Sequence, residues 1–208
     1  MTAFGPTLLG GAASNNTLSL SFRPSVPVAT ASMLWVVGIT TVVDTAVLDF
    51  SDQAGNSYLL QIFNMPSGSS VGLFAAWSLL ANPISTIQNI AVASSIRGPF
   101  AACAVAYGGV AASIHGVASA WFNSIHPVLS LPSTNPGDQL LGMLVVGGPN
   151  TDQFTQSPGF SADIGGGLGN ANFSLHGGGS SSPNGGAATY EPVLGALRQS
   201  MGFLASFA

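Results

Sequence analysis

The sequence predicts an all-β protein, a β-sandwich or jelly roll of about eight to ten strands. Three observations carry that expectation. Apolar residues either alternate with polar ones or fall in short runs, and both are strand behaviour. Clusters of Gly, Pro, Asn, Asp and Ser separate these runs at fairly even spacing. Charged residues make up only 5% of the 208, so the charged i, i+4 pairs that support solvent-facing helices are lacking. One short helix fits at most, over Leu73–Leu80 or Pro192–Gln199.

Taken in chain order, residues 1–16 read as an N-terminal arm. There Phe4, Leu8 and Leu9 stand among Gly and Ala and offer apolar contacts to a neighbour. A single sandwich domain follows over 17–208. Its first strand alternates, with Leu18, Leu20 and Phe22 on one face and Thr17, Ser19 and Ser21 on the other. Met33 to Ile39 is a continuous apolar run, as a strand covered on both faces requires. Val43 to Phe50 comes next. The stretch Asp52-Gln53-Ala54-Gly55-Asn56 then reads as a turn, with Asp and Asn side chains to cap the backbone and Gly55 for positive φ. Tyr58 to Phe63, Val71 to Leu79, Ile84 to Val92, Ala101 to Tyr107 and His115 to Phe122 are further strands. Asn135-Pro136-Gly137-Asp138 is a second turn, leading into Leu140 to Val146, and Gln199 to Phe207 is the last strand. The segment 164–188 differs, with Gly165-Gly166-Gly167, Gly177-Gly178-Gly179 and Gly185-Gly186. It reads as a long Gly-rich loop, either a mobile connection or one ordered by a neighbouring subunit.

Charge narrows the function classes. The cations are Arg23, Arg97 and Arg198, with no Lys, against seven carboxylates and a net charge of -4. A nucleic-acid partner is not expected, because counterion release needs several basic contacts on phosphate. A membrane partner is not expected either: Pro, Gly and polar residues interrupt every stretch before about 18 apolar residues accumulate. Residues 1–16 lack the basic and apolar regions of an export signal. Neutral hydrogen-bonding groups must keep the surface soluble, and packing such a surface against copies or partners desolvates little charge. The lone Cys103, flanked by Ala and Val, reads as a small buried apolar residue.

Candidate chemistry is sparse. Gly68-Ser69-Ser70-Val71-Gly72 matches the G-x-S-x-G elbow with Ser70 as nucleophile, and Asp138, Asp152 or Asp163 followed by His176 would complete the hydrolase order. The elbow needs a parallel sheet with crossover helices, so no enzyme is expected. His115 and His126 lack metal-ligand spacing and read as partly buried histidines donating to backbone carbonyls. Asp44, Asp49 and Asp52 read as solvated strand-edge carboxylates rather than a Ca²⁺ site. No metal or cofactor is expected. For carbohydrate, Trp35, Trp77 and Trp121 read as core, leaving Tyr107 and Tyr190, beside Gly-rich turns, as the exposed rings for a ligand.

At Asp52-Gln53-Ala54-Gly55-Asn56-Ser57-Tyr58 the chain resembles a diffuse group of β-sandwich proteins of phage genomes and bacterial extracellular repeats. The group shares an Asp-x-x-Gly-Asn-x-Tyr hairpin, here Asp52, Gly55, Asn56 and Tyr58. It also has a Gly-Asp-Gln-Leu-Leu strand start, here Gly137 to Leu141, and a last strand finishing in Phe, here Phe203 and Phe207. The layout spans roughly residues 17 to 207. The resemblance implies structural or adhesive work with no catalytic residues. Together with the composition it leads to the expectation of a virion subunit, a capsid decoration or cement protein or a spike. Such a subunit would pack as a trimer and against other virion proteins such as the major capsid protein. The alternative is a tail-fibre or secreted module that binds host carbohydrate outside the cell.

Overall fold

In this computed structural model the described residues are 4–40, 47–64, 72–109, 113–161, 163, 168–170 and 172–208, with backbone only for 4–6 and 62–64. They are all-β. The first strands are β1 (Phe4–Phe22), β2 (Met33–Thr40), β3 (Leu48–Asp52), β4 (Leu59–Asn64), β5 (Gly72–Leu79) and β6 (Ile90–Gly108). The middle of the chain gives β7 (Ile114–Ser124), β8 (Leu129–Leu131), β9 (Asp138–Val146), β10 (Phe154–Thr155) and β11 (Leu168–Gly169). Then follow β12 (Ser174–Ser182), β13 (Ala188–Tyr190), β14 (Val193–Leu194) and β15 (Arg198–Phe207). Ten of these have five residues or more (β1 to β7, β9, β12 and β15); of the short ones, β8 pairs with β13 and β10 with β14, while β11 ends the second sheet. No helix occurs among the described residues. Leu73–Leu80 lies in and just after β5, and Pro192–Gln199 holds β14 and the start of β15.

Two antiparallel sheets face each other. The first runs β1-β6-β2-β5-β4, with β3 added to β6; the second runs β11-β12-β9-β15-β7. Between them lie Met33, Trp35, Val37 and Ile39 of β2, Leu141, Met143 and Val145 of β9, and Phe203, Ala205 and Phe207 of β15, all essentially without solvent exposure. The intervening residues of the same strands point outward and are also buried. Leu34 and Val36 enter a second cluster with Phe74 and Phe100, and Leu140, Leu144 and Leu204 enter a third with Leu129, Leu131 and Tyr190. Strands covered on both faces need continuous apolar runs, which is how 33–39 reads in the sequence.

The second cluster closes because the β1–β6 ribbon curls. Even-numbered residues from both halves of β6, Ile90 and Val92 as well as Phe100, Ala102 and Ala104, enter it together. Register shifts at Ser14/Thr17 and Thr17/Ser19, opposite Gly98 and Phe100, mark the bend. Bulges bend and twist a ribbon in this way, and Pro99 sits there without an N–H to contribute. Residues 4–16, expected as an arm, are instead the first part of β1 and pair with Ser14 to Phe4 opposite Phe100 to Gly108.

The Gly-rich loop expected over 164–188 is corrected in the same way. Residues 164–167 lie outside the described residues, but Gly177, Gly178 and Gly179 belong to β12, an interior strand of the second sheet. Their role is close approach rather than mobility. A Cβ on Gly177 would lie 2.1 Å from Met143 Sδ and 2.7 Å from the Gly142 carbonyl oxygen, and one on Gly178 would lie 2.5 Å from Gln156 Nε2.

Candidate functional site

The Asp52 turn forms as the residue types require. Asp52 Oδ1 accepts hydrogen bonds from the backbone N–H of Ala54 at 2.8 Å and of Asn56 at 3.2 Å. Its Oδ2 accepts from Asn56 Nδ2 at 3.0 Å and from the Tyr58 hydroxyl at 2.8 Å. Gly55 takes φ 79°, the left-handed conformation glycine adopts without cost. Asn56 in turn joins the loop at Asn82, accepting from its backbone N–H at 2.8 Å and donating to its carbonyl at 3.0 Å. Burial, then the Asp52 hydrogen bond and charge, push the Tyr58 hydroxyl well above its ordinary range. The turn is not a hairpin, however: β3 pairs with β6, whereas β4 pairs with β5. Asp52, Gly55, Asn56 and Tyr58 therefore staple two parts of the first sheet together.

The expected contact residues scatter. The Phe4 side chain and Ser70 lie outside the described residues, as does Asp44. Leu8 is 40% exposed, but Leu9 is buried in the second cluster and faces no neighbour. Tyr107 and Tyr190 are fully buried, contrary to the expectation of exposed rings. Tyr107 donates to the Leu140 carbonyl at 3.1 Å and packs edge-on against Phe207. Tyr190 lies flat over Gly142, where a Cβ would come within 2.5 Å of the ring. Desolvation raises both phenols well above their usual range. Among the tryptophans, Trp35 is core and Trp77 is half-buried, but Trp121 on β7 is 42% exposed. The glycines near the two tyrosines do turn the chain, with Gly109, Gly185 and Gly186 at positive φ, but Tyr107 and Tyr190 themselves are strand residues of β6 and β13 whose rings point into the core.

Two histidines pair with carboxylates: His115, expected to donate to a backbone carbonyl, and His176; His126, expected to be partly buried, is exposed. His115 Nδ1 lies 2.7 Å from Oδ1 of the buried Asp138. A bulge between Ser206 and Phe207 places His115 as the extra residue of β7, which re-aims its ring. His176 Nδ1 lies 2.7 Å from Asp163 Oδ2, and its Nε2 lies 3.1 Å from Ser174 Oγ. Asp163 Oδ1 also accepts from the Gly177 N–H at 2.9 Å, and Phe154 stacks on the imidazole at 4.2 Å. Ser174 and His176, two apart on β12, share a face of the sheet.

Carboxylate, imidazole and hydroxyl in this order can activate a serine. Here Ser174 is 1% exposed and His176 4%, so no substrate-sized group reaches the hydroxyl in this conformation. The arrangement fastens the segment carrying Phe154 and Asp163 to the outer face of the second sheet. The sequence named His176 and Asp163 but missed Ser174, because the strand that aligns it looked like loop. Among the described residues no three His, Cys, Asp or Glu side chains group to hold a metal ion. Comparison with protein-family models, curated proteins and solved structures gives no match.

The described surface carries few charges, Arg23, Asp49, Arg97 and Glu191 among the exposed ones, and several exposed apolar side chains. Leu59 (60%), Ile87 (74%) and Leu197 (63%) are exposed along with Trp121. Arg198 is held by Asp152 at 2.7 Å, which raises its pKa further. Leu59 and Trp121 lie on β4 and β7, the end strands of their sheets. Because β2 lies over β9 and β5 over β15, these two ends are on the same side of the sandwich.

Proposed function

We propose that this chain is a non-enzymatic structural subunit of a virus particle, a capsid decoration or cement protein or a spike. It acts by packing against copies of itself and against neighbouring particle proteins such as the major capsid protein. The observation that carries the packing role is the exposure of Leu59 and Leu60 on β4 and of Trp121 on β7, at sheet ends on the same side, in a chain with only three cations and seven carboxylates. Burying such a surface removes apolar area from water without stripping charges of hydration. The viral assignment rests on the resemblance at Asp52 to Tyr58 and Gly137 to Leu141. Light scattering on a sizing column tests the packing role. A closed homo-oligomer is the expected result; a monomer at every concentration overturns self-assembly.

A second reading, a tail-fibre or secreted module that binds host carbohydrate, is favoured by Trp121 alone. Its exposed ring is flanked on the same strand face by Ser119 and Asn123, a stacking surface beside hydrogen-bonding groups. Glycan-array binding that disappears in Trp121→Ala would support this reading over the first.

A further inference from the structure

We infer that the outer edge of β7 is the contact between two copies of this chain, joined strand to strand across a two-fold axis at Ser119. The inference rests on the packing role proposed above and names its surface and symmetry. Exposed edges invite pairing, and proteins blunt them with bulges, proline, charge or shortness. Four other edges here carry such devices. β1 has repeated register shifts and contains Pro6, β4 has a shift between Leu60 and Ile62, β11 is two residues long, and β3 carries Asp49 and Asp52.

β7 carries none of them beyond its first residues. It is eleven residues long, contains no Asp, Glu, Lys, Arg or Pro, and pairs regularly with β15 from Gly116 to Ser124. No strand among the described residues covers its other side. Not one β7 residue is fully buried, whereas its partner β15 is buried from Ser200 to Phe207.

The bulge at His115 ends regular pairing on one side at Gly116, and symmetry about Ser119 ends it at Phe122. Antiparallel pairing in that register sets side chains of unlike size against each other. Trp121 meets Val117 of the second copy, an aromatic beside a β-branched residue, which is a favourable cross-strand pair. Phe122 meets Gly116, Ala120 meets Ala118, and Ser119 meets its own copy. The chain's net charge of -4 offers no obstacle, since every carboxylate lies off this strand. The product is one continuous ten-stranded sheet, made from two copies of a five-stranded one. An isologous contact of this kind gives an even-numbered assembly rather than the trimer that composition suggested.

Ser119→Cys tests the contact directly, because the native Cys103 is buried and gives no background. Residues opposite one another across antiparallel strands are about 4.5 to 5.5 Å apart at Cα, within disulfide reach. Under mild oxidation Ser119→Cys should convert to a covalent dimer, while Ala118→Cys, on the other face and off the axis, should not. Trp121→Lys, which points a charge into the contact, should halve the mass by light scattering. An assembly that persists in Trp121→Lys and leaves Ser119→Cys unlinked overturns the β7 contact and leaves the packing role standing. A wild-type monomer overturns both. A mass in solution of three subunits, with no cross-link, also overturns the two-fold.

Discussion

At the residue scale, the side chains that matter are those whose polar atoms are saturated or sealed. Asp52 receives four hydrogen bonds from three residues, so it cannot be replaced by a group with fewer acceptors. Asp52→Ala leaves the Tyr58 hydroxyl and the Asn56 amide without that acceptor. It should cost about 2 to 3 kcal/mol in a denaturant melt, at the upper end for bonds to a charged group. An unchanged midpoint would mean that water replaces the carboxylate at no cost. Cys103 illustrates sealing: burial, with the Asp163 charge adding to it, pushes its thiol up to about 12. In the unfolded chain the same thiol ionises near about 8.5. Between those values the unfolded state has lost a proton that the folded state keeps, so stability falls as pH rises. The decline should begin near pH 9, steepen as the buried tyrosines add to it, and lose its early part in Cys103→Ala. Urea titrations at a series of pH values measure that slope.

At the element scale, strand identity was legible wherever an apolar pattern met a defined turn. Met33–Thr40, Asp138–Val146 and Arg198–Phe207 stand within a residue or two of where alternation and turn signals put them. The Asp52 turn was legible because its residue types dictate their own hydrogen bonds. What could not be read was β12. Its three glycines look like chain freedom, yet they answer to Met143, Gly142 and Gln156, which lie at least twenty residues away in the chain. The same blindness misplaced Tyr190, whose burial depends on Gly142 having no side chain, and the Ser174–His176–Asp163 cluster, which exists only once β12 is a strand. Gly38 on β2 tests this account of glycine. A Cβ there would lie 2.3 Å from the Ala101 carbonyl oxygen and 2.2 Å from Phe74 Cζ. Gly38→Ala should destabilise by about 2 kcal/mol or more, although alanine is the better residue by backbone entropy. A stabilised Gly38→Ala protein would show that the strands have room to part.

At the scale of the whole molecule, the sheet order is assembled almost entirely from distant pieces. β1 pairs with β6, so that Phe4 stands opposite Gly108, and β7 pairs with β15 at the far end of the chain. Loop closure has to precede the reward of pairing, so such topologies fold slowly. Refolding by stopped-flow dilution should proceed over milliseconds to seconds or longer, and a microsecond phase carrying the full amplitude would contradict the topology. The curl of the β1–β6 ribbon adds a consequence for synthesis. A ribosome that has made β1 must still make β2 to β5 before the strand that receives β1 begins to emerge. At about 5 to 20 residues per second, β1 waits about 3 to 13 s with Leu9, Leu20 and Phe22 uncovered. For that interval the nascent chain carries an unpaired nineteen-residue strand, the kind of segment that holdase chaperones bind.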